Sequence, residues 1–360
     1  MLRGLCALAV VAGHTRGFLF LDYGQIVRPN LAVKVFYALT SLGHQSVMAF
    51  FALSGFLVGG KALSDMKAGR WSFKTYLAAR LARLWTVLGP ALLLTLAADF
   101  AGRKITGSAG YNGAYYGMLS SGPLESVDST VTTMIGNFLF LQTISVPTFG
   151  TNGPLWSLAN EFWYYMIFPL AASVVLLRQN TWYRTFAALA VAVMVTSLPA
   201  HILIPGLIWA AGAVTFLMTQ NTMFESVIRH PLYHYYTTAF VLFSLVYRSS
   251  GAAYASDLML GFAWALLLPG LAALPTVSGL YRTAAAMLSG VSYTLYATHF
   301  PFLAFVWFSA FAPTQFAPDL ASVLLAGALI VASLILASAL WWCFERNTGR
   351  IRNIAIGWFR

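Results

Sequence analysis

Ten apolar runs follow one another along this chain, at about 3–21, 44–60, 80–99, 154–177, 183–199, 203–219, 234–248, 255–274, 285–311 and 319–344. An α-helix of about 20 residues crosses the roughly 30 Å apolar core of a bilayer, and most of these runs approach or exceed that length. No other feature restricts the fold as much, because a chain in lipid must satisfy its backbone internally and does so as helices. Composition points the same way: the 360 residues are 59% hydrophobic and 9% charged, where a soluble domain carries roughly 25% charged residues. The expected fold class is all-α, a polytopic transmembrane helical bundle of about ten transmembrane helices. Residues 1–345 would form one transmembrane domain and 346–360 a short basic tail. Pro199, Pro205, Pro269 and Pro275 blur the boundaries of the fifth to eighth runs.

The first run is not a signal peptide, since it carries Arg3 and His14 and lacks a separate basic region and cleavage site. Its abrupt start leaves two readings of the N-terminus, mis-called or trimmed. Cys6 and Cys343 fall within or beside apolar runs, which argues against a disulfide framework.

Basic residues set an expected orientation. With the N-terminus inside, fifteen of the 21 lysines and arginines fall on the cytoplasmic face. They are Arg3, the cluster Lys61, Lys67, Arg70, Lys74, Arg80 and Arg83, then Arg178, Arg184, Arg229 and Arg282, and the tail residues Arg346, Arg350, Arg352 and Arg360. Such asymmetry is the positive-inside rule, and ten spans return the C-terminus to the cytoplasm. Arg16, Arg28, Lys34, Arg103, Lys104 and Arg248 stay on the other face. Topology thus accounts for most of the net charge of +11, and no nucleic-acid partner is expected. A loop at about 100–153 faces outward with Glu125 and Asp128, long enough to cover a site or touch a polar acceptor.

Polar groups can be placed by depth. Arg3 and His14 are eleven residues apart, almost three turns, so they share nearly one face about 16 Å apart along the axis. Arg3 then lies at an interface and His14 near the bilayer centre, where an ionisable group needs a partner or a wet cavity. Ser54 in Phe50–Leu57, Glu161 in Trp156–Tyr165 and His299 in Ser292–Pro301 reach comparable depth. His14, Ser54, Glu161 and His299 are therefore expected to meet in one layer, and Glu161 is the acidic residue most clearly inside a run.

Each has a plainer reading. His14 satisfies a backbone carbonyl. Ser54 precedes Gly55 and Gly59, spaced as G-x-x-x-G, and marks close helix packing. Glu161 neutralises a histidine or Arg16. His299 satisfies backbone groups freed by Pro301. Trp156, Trp163, Tyr164 and Tyr165 form an interfacial belt. His14, His299 and Glu161 could in principle hold zinc, but no short H-x-x-x-H spacing joins them, so no metal is expected. On the inner side, Arg80 and Arg83 place two guanidinium groups on one helical face, and with Arg3 and Lys74 they would make an anion-binding mouth. Ordinary positive-inside anchoring accounts for them equally well.

Five motifs now carry a resemblance. Arg3-Gly4-Leu5-x-Ala7 with Val10-Val11-x-x-His14 resembles the first-helix signature of the integral-membrane acyltransferase-3 family. Phe50–Leu57 is similar to its second motif and Arg80-x-x-Arg83-Leu84 to its third. Leu155-Trp156-Ser157-Leu158-x-x-Glu161-x-x-Tyr164 resembles the fourth, and Ser292-Tyr293-x-Leu295-Tyr296-x-x-His299-x-Pro301 the fifth. Thr86 stands where the family often has proline.

The resemblance implies about ten transmembrane helices and transfer of an acyl group, often acetyl from acetyl-CoA, onto an extracytoplasmic glycan or glycolipid. It implies a bacterial inner membrane location and an O-acetylation chemistry such as polysaccharide modification. Ten helices are enough for a monomer to enclose a site, so the expected state is a monomer or homodimer. Under the resemblance, Arg80, Arg83 and Arg3 receive the phosphates of acyl-CoA, and His14 is general base on an acceptor hydroxyl. Glu161 orients His14 or stabilises its protonated form, and His299 is a further catalytic candidate. Ser54, Trp156 or Asn160 donates to the thioester oxygen. A covalent acyl-histidine step remains open beside direct transfer. A rival class is a proton-coupled transporter that uses His14, Glu161 and His299 as a relay, although no internal symmetry of halves supports it.

Overall fold

A computed structural model describes residues 1–120, 127–177, 181–247, 254–275 and 278–358. Glu125, Arg178, Arg248 and Arg360 lie outside the described residues. The described elements are helical, and β contacts are isolated bridges only. In chain order the helices are α1 (Leu2–Leu19), α2 (Leu31–Thr40), α3 (Gly43–Ser54), α4 (Gly60–Lys67), α5 (Phe73–Thr106), α6 (Val131–Phe138), α7 (Trp156–Leu176) and α8 (Thr181–Ser197). They continue as α9 (Ala200–Phe216), α10 (Thr222–Arg229), α11 (Pro231–Val246), α12 (Ala255–Ala273), α13 (Leu280–Ala310), α14 (Leu320–Cys343) and α15 (Thr348–Trp358). A π-helical stretch, Gly55–Gly59, joins α3 to α4.

Each apolar run is helical over most of its described residues. By length and composition, five described stretches are apolar enough to cross a membrane: Leu31–Lys67, Phe73–Thr106, Ala200–Gln220, Ala255–Ala273 and Leu320–Ile354. The protein is an all-helical membrane protein.

One run differs from its expected bounds. The run placed at 80–99 extends to Thr106, so Asp99 lies inside a helix, 2% exposed, while Glu161 is only partly buried. The segment expected as a loop at about 100–153 has helical structure of its own. It contains α6, capped by the Thr130 side chain on Thr133 N–H. Asp128 accepts from Thr130 N–H at 2.9 Å and from Thr133 Oγ1 at 2.7 Å, which holds its carboxyl below the usual range. Asp99 accepts from Thr151 N–H (2.9 Å) and Thr151 Oγ1 (2.7 Å), tying the end of the loop to α5.

The chain divides into two compact units. The first comprises Met1–Ser46, Leu81–Ala159 and Gly279–Arg360. Its apolar core includes Phe18, Leu19, Phe20, Phe300, Leu303 and Trp307, from α1 and α13 with their flanks. These helices approach closely because Gly4 has no side chain: a Cβ there would meet Leu288 Cγ at 2.5 Å. Pro301 cannot donate to the carbonyl of Ala297 four residues back, and Asn152 Nδ2 takes that carbonyl at 2.9 Å. The group freed by the proline is therefore satisfied by Asn152.

The second unit comprises Val47–Arg80 and Asn160–Ser278. Here the π-helical stretch lies on α9 with glycines at the contact: a Cβ on Gly55 would stand 1.8 Å from the Trp209 carbonyl oxygen, and one on Gly59 would stand 2.6 Å from Ala213 Cβ. Pro205 leaves the His201 carbonyl without its helical donor, and Asn160 Nδ2 supplies one at 3.1 Å. The same device thus serves a proline in each unit.

Candidate active site

His14 and His299 meet in the first unit. His14 Nδ1 lies 2.8 Å from His299 Nε2, with the ring planes 9° apart. His299 Nδ1 lies 2.9 Å from the carbonyl oxygen of Leu295. A carbonyl only accepts, so His299 carries its proton on Nδ1. A neutral ring has one such proton, which makes His299 Nε2 an acceptor and His14 Nδ1 the donor to it. Nε2 of His14 is left with its lone pair. This tautomer follows from the hydrogen-bond pattern, and it gives His14 one basic nitrogen held in a fixed direction. Phe300 closes edge-on against the His14 ring, centroids 4.9 Å apart.

The first unit also gathers charge. The guanidinium carbons of Arg3 and Arg83 stand 5.6 and 5.4 Å from the centroid of the Tyr293 ring, within the range at which an aromatic face attracts a cation. Arg83 Nη2 pairs with Glu345 Oε1 at 2.7 Å. The other oxygen, Oε2, accepts from Thr294 Oγ1 at 2.5 Å and from Thr294 N–H at 3.3 Å. Two cations and one carboxylate therefore share this cluster. The turn after α14 is fixed again at Thr348, whose hydroxyl is 3.0 Å from that of Thr86.

The second unit holds the other candidates. Ser54 Oγ donates to Glu161 Oε1 at 2.7 Å, Tyr165 OH donates to the same oxygen at 2.5 Å, and Trp209 Nε1 donates to Ser54 Oγ at 3.1 Å. Arg80 lies in this unit, with its guanidinium 5.9 Å from the rings of both Tyr76 and Tyr165. Asn160 bonds the His201 carbonyl, as above, and Trp156 opens α7 in the first unit. The layer expected of four residues is thus described as two pairs, His14 with His299 and Ser54 with Glu161. Arg3 and Arg83 converge on Tyr293, while Arg80 belongs to the other unit.

Three contributors escaped the sequence reading. Trp209 lies in an apolar stretch of α9 with no polar neighbour to single it out. Asn152 was legible only as a loop residue, although Pro301 signals an orphaned carbonyl at Ala297. Glu345 follows the last apolar run beside Arg346, where it reads as an ordinary tail charge; it is 2% exposed.

Comparison with protein families matches residues 1–342 to the acyltransferase domain of the acyltransferase-3 family. No curated protein and no solved structure matches the chain. The family match covers α1 through nearly all of α14, including both histidines and all three arginines singled out above, and the chain belongs to the acyltransferase-3 family of membrane acyltransferases.

Proposed function

We propose that this protein is a membrane-embedded O-acyltransferase that moves an acyl group, expected to be acetyl, from cytoplasmic acyl-CoA to a hydroxyl of an extracytoplasmic glycan or glycolipid. The observation that carries this reading is the His14–His299 pair, whose hydrogen bonds leave the lone pair of His14 on Nε2. That nitrogen takes the proton of the acceptor hydroxyl as its oxygen attacks the thioester carbonyl. A C–O bond forms, the C–S bond breaks, and the proton passes from His14 to the departing CoA thiolate. While His14 is protonated, its bond to His299 becomes charge-assisted and stronger.

The CoA phosphates call for cations, and guanidinium forks suit them. Arg3 and Arg83 supply two beside Tyr293. Arg80, whose buried Nε has no hydrogen-bond partner among the described residues, is assigned the same chemistry. Ser54, Trp156 and Asn160 are the candidates to stabilise the tetrahedral oxygen. Ser54 does so only when its hydroxyl turns from Glu161, which gives Glu161 the task of setting that hydroxyl. The proposed topology has ten spans with both termini cytoplasmic, in a bacterial inner membrane, and a monomer suffices.

Cells lacking the protein, complemented with wild type or with His14→Ala at equal membrane expression, test the reading by mass spectrometry of surface glycans and glycolipids. An acyl mass increment that appears with wild type and vanishes with His14→Ala is expected. An increment that survives the substitution removes His14 from the chemistry. No increment in either strain, with solute flux dependent on the protein, points to a transporter instead.

A further inference from the structure

We propose that Glu345 is the positioning residue of the donor's anion site: it holds Arg83 against Tyr293 beside Arg3, and through Thr294 it fixes that pair to the helix carrying His299. The inference rests on the assignment of Arg3 and Arg83 to the CoA phosphates. Glu345 lies beyond residue 342, where the family match ends.

The geometry carries it in three steps. Arg3 and Arg83 both face the Tyr293 ring, with guanidinium carbons 5.6 and 5.4 Å from its centroid. Two like charges gathered on one ring repel each other, and the Glu345 carboxylate lies in the same cluster, 2.7 Å from Arg83. That carboxylate touches Arg83 through Nη2, so the remaining N–H groups of the guanidinium, held in a planar fork, stay directed for a second anion. Its other oxygen takes both the N–H and the hydroxyl of Thr294, next in sequence to Tyr293 and five residues before His299 on α13. One buried carboxylate therefore fixes the arginine, its aromatic platform and the histidine-bearing helix to each other.

Two effects oppose each other if the charge is removed. Loss of Glu345 makes the cluster more positive, which favours an anion. It also frees Arg83 to swing on its long side chain, away from Arg3. Arg83 is 29% exposed, and water screens the first effect there. Orientation wins, so the donor binds less well.

The test is steady-state acyl transfer by the full-length protein in nanodiscs, with equilibrium binding of radiolabelled acetyl-CoA measured beside it. Glu345→Gln keeps the shape and loses the charge. It is expected to raise the donor KM about tenfold while kcat changes less than about threefold and the acceptor KM stays the same. Thr294→Val, which removes the hydroxyl from Oε2 and leaves the ion pair, is expected to shift the donor KM in the same direction by about threefold. It serves as the second variant if Glu345→Gln does not assemble. A donor KM that is unchanged or lower in both variants overturns the proposal, as does a fall in kcat at constant KM. If wild type binds acetyl-CoA and Arg3→Gln weakens binding while Glu345→Gln does not, the role of Glu345 alone is refuted. If wild type shows no saturable binding, the donor assignment falls and this inference falls with it.

Discussion

His299 Nδ1 donates to a carbonyl and His14 Nδ1 donates to His299, so substitutions at the two rings have unequal consequences. Under the proposed function His14→Ala removes the base, and it is expected to lower acyl transfer by about 10²- to 10⁴-fold. His299→Phe keeps the base and removes what aims it, so a smaller loss is expected, read as kcat on an identified acceptor. The Arg83–Glu345 pair gives a second asymmetry. Arg83→Gln strips the cation from a carboxylate whose side chain is 1% exposed, a loss of about 3–5 kcal/mol. Glu345→Gln leaves a guanidinium that water reaches, and costs about 1 kcal/mol. Thermal unfolding of the purified variants separates the two; equal melting temperatures would contradict the burial argument. His14, His299 and the arginines were legible in the sequence because charge inside an apolar run is conspicuous. Glu345 was not, because its burial is a tertiary fact: only packing reveals that a tail charge has turned inward onto α5 and α13.

At the scale of elements, prolines and glycines say most about how the helices are held. Asn152 and Asn160 each bond a carbonyl that a proline has orphaned. Asn152→Leu or Asn160→Leu is expected to destabilise by about 1–3 kcal/mol, the cost of a buried acceptor left unmade, measured as a fall in melting temperature. The ten apolar runs were readable as helices because hydrophobic length is a local property. α6 and α15 were not, since α6 is only eight residues long and α15 carries two arginines among its apolar positions.

The cap before α6 responds to pH. Asp128 has its carboxyl lowered first by the Thr130 backbone N–H and then by the Thr133 hydroxyl. A lowered carboxyl contributes stability that is complete above its ordinary value of 3.8 and is lost as pH falls toward the folded value. Limited proteolysis within residues 127–153 is therefore expected to accelerate in wild type below about pH 4. In Asp128→Asn it should be faster at neutral pH and insensitive to acid, and an unchanged acid response would remove Asp128 as the cause.

For the whole molecule, the proposed orientation has a direct readout in the native thiols. Cys6 is buried and Cys343 exposed. A membrane-impermeant maleimide is expected to spare Cys343 in intact cells and to label it after permeabilisation. A cysteine placed at exposed Ser145, in a Cys343→Ser background, should label without permeabilisation; the reverse pattern would invert the topology. Charge asymmetry gives the orientation that this labelling tests. The partition into two units was not legible in the sequence, since each is assembled from segments far apart in the chain and no composition shift marks their limits.

That discontinuity has a consequence for biosynthesis. Thr86 and Thr348, which meet beside the Arg83–Glu345 pair, are 262 positions apart. At ordinary translation speed the ribosome needs roughly 15 to 50 seconds to pass from one to the other. Throughout that interval Arg83 waits at its helix without its carboxylate, and a nascent chain released early never acquires it. A truncated product would carry Arg83 without the Glu345 carboxylate that pairs with it in the folded chain.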